Sequence, residues 1–258
     1  MEMDVLRLTH LVSALEIASG DSALVDQVLK KCGLNRGDAK EKDGAFTYKK
    51  ETLFIREACD ALADNTFGAR AGLEWQNSSS LTGYIAKYSK DLRAAIENTA
   101  KLHDVANPAA GWSLKVSGNA ASFEVAWKDE SYARFHRHSE FVMFGALSQM
   151  RSVTQINFYP LEMRLDHEVG KSSAQFQKLA GFPVVFGAER PEIILSLSSL
   201  DLPVPTYDLR LREHLTQYGQ KLLAERKKPQ QDMRSKCEAL LTASLPVRIL
   251  GADEVAGS

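Results

Sequence analysis

The sequence predicts an α+β fold: a helical N-terminal part, then a mostly antiparallel sheet with a long covering helix, then C-terminal linker helices. Three observations predict it. All 8 prolines lie at Pro108 or later, so the chain before that point contains no obligate helix breaker. From Trp112 the apolar repeat shortens to two, the period of a strand with one buried face. From Ser131 to Gln155 the repeat returns to that of a helix, long enough to lie across a sheet.

Val5, Leu8, Val12, Leu15 and Ile17 make the first helical stripe. Leu24, Val28 and Leu29 make the second, behind Asp21, whose carboxylate suits an N-cap. "KKCGLNRGDAKEKDGAF" breaks the pattern with glycines and dense charge and is expected to be a loop. Leu53, Ile55, Ala58, Leu62 and Phe67 resume helical spacing; after "QNSSS", a loop of N-capping residue types, Leu81, Ile85, Leu92, Ile96 and Leu102 continue it. Trp112, Leu114 and Val116 then alternate in "WSLKVSG", and Phe123, Val125 and Trp127 in "ASFEVAW". Ser117-Gly118-Asn119 between them is hairpin chemistry, because Gly and Asn tolerate positive φ. Beyond the long helix, "LEMRLDH", "PVVFG" and "EIILSL" are expected strands, with a short helix at Lys171 to Leu179. Leu211, Leu215, Tyr218 and Leu222 form a narrow stripe of coiled-coil type on the next helix. Met233, Cys237, Leu240 and Leu241 mark one more short helix.

Bulk properties exclude several classes. A chain of 258 residues with 44% apolar and 25% charged residues is an ordinary globular protein with room for a sizeable core. A net charge of −1 gives no general attraction to nucleic acid or to an anionic membrane. No apolar run reaches the roughly 20 residues of a membrane span, and the N-terminus lacks a signal-peptide pattern. The 3 cysteines are odd in number and far apart, which argues against a disulfide framework and for a reducing, cytoplasmic setting.

Catalytic and metal signals are weak. His136 and His138 in "HRH" would point about 200° apart on a helix, so one ion cannot take both. His136 with Glu140 is better spaced, but a third ligand would have to come from elsewhere, and no metal or other cofactor is expected. No Gly-x-Ser-x-Gly elbow or lysine-bearing phosphate loop is present. The long helix is more informative. Tyr132, Phe135, Val142, Met143, Ala146, Met150 and Val153 form a broad apolar face, and Arg134, Arg137, His138 and Glu140 lie beside its start. Convergent polar groups next to apolar surface suit a small-molecule pocket; the plainer alternative is snorkelling at the helix margin. Trp75, Tyr84, Tyr88, Trp112 and Trp127 are likewise core or pocket wall. The expected ligand-binding residues are Trp75, Tyr84, Tyr88, Arg137, His138 and Glu140, with no catalytic residue.

The stretch "KLAGFPVVFGAERPEIILSLSSLDLPVPTYDLRLREHL" makes the sequence more specific. Gly181-Phe182-Pro183-Val184, Ile193-Ile194-Leu195-Ser196, Leu202-Pro203-Val204-Pro205 and Asp208 follow one another as in the arabinose-binding-type sensor domain of AraC-family transcription regulators, which this chain resembles. "TFGARAGL" and, through Gly83-Tyr84, Ser89 and Leu92, "LTGYIAKYSKDLRAAIENTAKLHDV" resemble earlier segments of that domain in the same order. The resemblance covers roughly Leu6 to Leu222. It implies an effector-binding and dimerisation domain over 1–226, with a helical part over 1–107 and an α+β part over 108–226. It further implies a linker helix region over 227–250 and, over 251–258, where "GADEVAGS" resembles its first helix, the start of a truncated helix-turn-helix domain. The implied protein is a non-enzymatic, bacterial, cytoplasmic homodimer that binds a small-molecule effector. It would meet DNA only through the absent C-terminal domain, and no membrane. Leu211, Leu215, Tyr218 and Leu222 are the expected dimer seam or, alternatively, packing on the same domain. An enzyme using a His/Glu pair and a ligand-free interaction module remain open alternatives.

Overall fold

A computed structural model describes residues 5–40, 46–76, 80–106, 110–128 and 134–227. It divides into two compact units, residues 1–220 and 221–258. The expected helix at Met233 to Leu241 and the "GADEVAGS" ending lie outside the described residues.

The helical part comprises α1 (Val5–Ser19), α2 (Ser22–Lys31), α3 (Tyr48–Leu62), α4 (Phe67–Leu73), α5 (Leu81–Lys87) and α6 (Leu92–Ala106). Local chemistry sets their starts. The Asp21 carboxylate accepts from the Ala23 and Leu24 amides, Thr47 Oγ1 from Lys50, and Ser80 Oγ from Gly83, each satisfying amides that a helix leaves open. The α1 stripe packs inward through Leu8, Leu11, Val12 and Leu15, but Ile17 stands 82% exposed. Two residues beyond Leu15 it points away from the inward face, so it does not belong to the stripe.

Strands β1 (Ala110–Ser117) and β2 (Ala120–Trp127) form the expected hairpin, with Gly118 at φ 57° in the turn. The long helix follows as α7 (His136–Thr154), then β3 (Glu162–Arg164), α8 (Ser173–Ala180), β4 (Val184–Val185), β5 (Glu192–Ser196), α9 (Leu197–Leu200) and α10 (Leu209–Lys227). The five strands run in the order β1-β2-β5-β3-β4, all neighbours antiparallel except β3 and β4. "LEMRLDH" is strand for only three residues, although the Leu165 amide still donates to the Val185 carbonyl beyond them. No described helix is long and apolar enough to cross a membrane.

Two apolar cores share α7. Phe141 belongs to the core among α1–α4, whereas Met143, Phe144, Leu147 and Met150 belong to the core over the sheet. The closest helix contact is α4 on α7, and it depends on glycine. A Cβ at Gly72 would stand 2.5 Å from the Phe141 carbonyl oxygen and 3.0 Å from the Gly145 amide; one at Gly68 would collide with the Arg137 carbonyl. Backbone cannot yield as a flexible side chain can, so a methyl there must push the helices apart. Gly72→Ala should therefore destabilise the chain by about 2 kcal/mol or more, lowering the thermal midpoint by roughly 4–8 °C at this size. An unchanged midpoint in differential scanning calorimetry would show that the helices slide freely at this contact.

Candidate ligand cavity and buried polar network

A cavity of about 180 Å³ lies between the helical part and the sheet-side core. Its walls come from successive turns of three helices. On α6, Leu92, Ile96, Thr99 and His103 recur on one face; on α7, Val142, Ala146, Gln149 and Val153 do the same. Thr82 and Ala86 of α5, Trp75 after α4, Trp112 and Phe123 of the hairpin, and Arg7 of α1 complete the lining.

The lining is mostly apolar, with a few polar atoms that are buried and unpartnered. His103 is 5% exposed and stacks on Trp112, with ring centroids 3.8 Å apart and planes 22° from parallel. Neither His103 ring nitrogen nor Trp112 Nε1 has a hydrogen-bond partner among the described residues. Burial drives the His103 pKa down to about 3, against the smaller pull of Asp104, so its imidazole is neutral at physiological pH. A buried polar group without a partner costs about 1–3 kcal/mol. Two on neighbouring rings in one cavity wall make a pair of recognition groups awaiting a partner.

The residues expected to bind ligand are not brought together in one place. Trp75 lines the cavity. Tyr84, 41% exposed, and Tyr88 do not line it. Nor do Arg137, His138 and Glu140, which belong to two buried polar clusters, His138 in one and Arg137 with Glu140 in the other. In the first, the Glu51 carboxylate accepts from Arg7 Nε at 2.6 Å and from His138 Nε2 at 3.0 Å. Tyr48 Oη lies 3.0 Å from His138 Nδ1, so a neutral ring protonated on Nε2, with the phenol donating to Nδ1, satisfies both neighbours. Burial lowers the His138 pKa, in keeping with that neutral form. Burial alone would raise Glu51, but Arg7 and the His138 hydrogen bond outweigh it and hold the carboxyl at about 2. Further along α7, Arg137 Nη1 and His167 Nε2 both reach Glu140 Oε1, at 2.7 and 2.9 Å. Burial raises the Glu140 pKa, and these two partners only partly offset it. Arg137, His138 and Glu140 thus find partners inside the protein, although Glu140 Oε2 and the neighbouring Ser139 Oγ have none among the described residues.

Arg7 connects network and cavity. While paired with Glu51, its guanidinium lies 5.8 Å from the Trp75 ring centroid and 5.0 Å from that of Phe141, both cavity walls. His103, Thr99 and Gln149 were not among the expected site residues. Their signal is present in the sequence: each is polar at a position where a helix's apolar stripe should continue.

The Leu211/Leu215/Tyr218/Leu222 stripe is split. Leu211 is 37% and Tyr218 56% exposed, Leu215 is half-buried, and Leu222 falls in the second unit. The buried residue on this stretch of α10 is Gly219, where an added Cβ would meet Leu102 of α6 at 2.9 Å and Leu81 of α5 at 3.4 Å.

The sign of the pH dependence at His103 follows from its depressed pKa. The unfolded ring takes a proton below about 6.5, but the buried ring stays neutral until about 3. Its contribution is therefore intact above pH 6.5 and is lost progressively as the pH falls towards 3. Relative to His103→Phe, the native chain should lose about 2 kcal/mol by pH 5. Paired thermal melts from pH 7.5 to 5 measure this; parallel curves would mean that His103 is already solvated.

The architecture has known relatives. A family profile described as the arabinose-binding N-terminal domain of AraC transcription regulators matches residues 24–204. The crystal structure of the transcriptional regulator CdpR from Pseudomonas aeruginosa superposes with a TM-score of 0.55 at 13% identity, over 85% of this chain and 71% of that one, a likeness of fold. No curated protein sequence matches the chain. With most of its length matched in order, and the helical front and mixed sheet in place, the chain belongs to the family of arabinose-binding N-terminal domains of AraC transcription regulators.

Proposed function

We propose that this domain senses a small, largely apolar, uncharged molecule in the cavity lined by His103 and Trp112. The unpartnered nitrogens of those two rings carry the reading. Trp112 Nε1 can only donate, so the ligand must present an acceptor such as a carbonyl or hydroxyl oxygen; neutral His103 can supply or receive one further hydrogen bond. The imidazole is neutral and the one guanidinium in the lining, Arg7, is already paired with Glu51, so the wall favours an uncharged ligand. At about 180 Å³ the space resembles cavities that hold a single aromatic ring. The effector would then be a monocyclic aromatic or a short branched aliphatic bearing oxygen.

Transmission would run through α5 and α6. Thr82 and His103 line the cavity, and their neighbours Leu81 and Leu102 are the side chains against which Gly219 of α10 rests. A ligand that draws α5 and α6 together would shift the seat of α10. It can bias the domain only by its difference in affinity for the two arrangements. The domain would pair with a second copy through the exposed Leu211 and Tyr218 edge of α10, and pass the change towards a DNA-binding helix-turn-helix domain. Its role would be regulatory rather than catalytic.

A thermal-shift screen against small oxygen-bearing aromatics and aliphatics, with mass spectrometry on each well, tests the sensor. Stabilisation by an unconverted ligand is expected. His103→Phe, which keeps the stack on Trp112 but removes both nitrogens, should preserve or raise the ligand-free midpoint and reduce the ligand response about tenfold or more in affinity, the loss of a hydrogen bond worth about 1.5 kcal/mol. Conversion of the ligand would replace the sensor with an enzyme. For the dimer, Leu211→Glu combined with Tyr218→Glu should give a folded monomer in sedimentation equilibrium; an unchanged dimer would place the seam elsewhere.

A further inference from the structure

We propose that His136, Asp166 and His167 form a binding site for one divalent first-row metal ion such as Zn²⁺, separate from the ligand cavity. The site lies where the start of α7 meets the segment leaving β3. One nitrogen from each histidine and one Asp166 oxygen all fall within 4.8 Å of one another. The two imidazoles stack, with centroids 4.6 Å apart and planes 21° from parallel.

Two buried atoms at this site lack hydrogen-bond partners among the described residues, His167 Nδ1 and Asp166 Oδ1. They stand 3.6 Å apart, within ion-pair distance though beyond hydrogen-bond reach, and His167 is only 6% exposed. The other face of the His167 ring is already committed, with Nε2 lying 2.9 Å from Glu140 Oε1. A carboxylate that accepts a hydrogen bond from one imidazole N–H fixes the tautomer and leaves the lone pair of the other nitrogen free to ligate, which is the arrangement behind metal-ligating histidines. Glu140 would be the positioning residue and His167 Nδ1 the ligand atom. His167 is anchored further by its carbonyl, which accepts from the Gly187 amide at 3.0 Å, and by Phe186 edge-on to its ring.

Zn²⁺ binds nitrogen and oxygen at about 2.0–2.2 Å, so its ligand atoms must stand roughly 3–3.5 Å apart. Turning the exposed His136 side chain inward supplies that closure. Three protein ligands leave one position open to solvent. Nitrogen, nitrogen and carboxylate donors suit zinc and the neighbouring transition metals over magnesium or calcium. His136, incomplete as a metal site along α7, gains from a different segment the further donors it lacked, with Glu140 acting behind His167 and not on the ion. The ion would clasp the start of α7 to the chain beyond β3.

Calorimetric titration of the chelator-treated chain with Zn²⁺ alone tests the site. One ion per chain is expected. His136→Ala and Asp166→Asn change residues that are not fully buried and should fold; each should weaken binding about tenfold or more. His214→Ala, on exposed α10 surface, should leave the affinity unchanged. No saturable uptake, an affinity unaltered in both site variants, or a loss caused by His214→Ala would overturn the proposal.

Discussion

The backbone contact between α4 and α7 is the constraint from which the rest of the domain follows. Gly68 and Gly72, one turn apart, leave no side chain on the face that meets the Arg137 and Phe141 carbonyls. At that separation α7 can serve two cores at once, giving Phe141 to the helical part and Met143, Phe144 and Leu147 to the sheet side. The same approach places Trp75, just beyond α4, near Gly145, where both line the cavity. Wider spacing would remove one wall and leave the polar atoms around α7 short of their partners.

Polar groups buried near that contact are treated in two ways. Glu51 is fully enclosed but held by Arg7 and His138, and breaking such a pair on one side costs about 3–5 kcal/mol because it strands a buried charge. The ring nitrogens of His103 and Trp112 are buried without hydrogen-bond partners among the described residues. The first arrangement stabilises the domain alone. The second costs stability in the free domain and is repaid only when something supplies the missing hydrogen bonds, as a binding site would.

Much of the fold was legible because it is encoded locally. The change of period at Trp112, the Gly118-Asn119 turn and the Asp21 cap each depend on a few consecutive residues, and each sits where the local chemistry puts it. The opposed directions of His136 and His138 were also legible: one ring stacks on His167 and the other bonds Glu51. The partners themselves were not, since Glu51 and His138 lie 87 residues apart and no local pattern pairs them. For the same reason Arg137, His138 and Glu140 read as a pocket rim, although the folded chain supplies each with a buried partner. His103 is the instructive omission. A histidine continuing the stripe of Leu92, Ile96 and Thr99 marks a helix face that is apolar yet not wholly core.

The central claim is that the wall formed by His103 and Trp112 receives the effector, and the chain's 3 tryptophans allow a direct measurement. Trp112 Nε1 and Trp127 Nε1 are both buried without a partner among the described residues, but of these two Trp112 alone lines the cavity. In ¹⁵N-resolved spectra of the indole N–H groups, a stabilising ligand should shift the Trp112 resonance and leave that of Trp127 in place. A response at Trp127 with Trp112 unmoved would put the ligand outside this cavity and contradict the account.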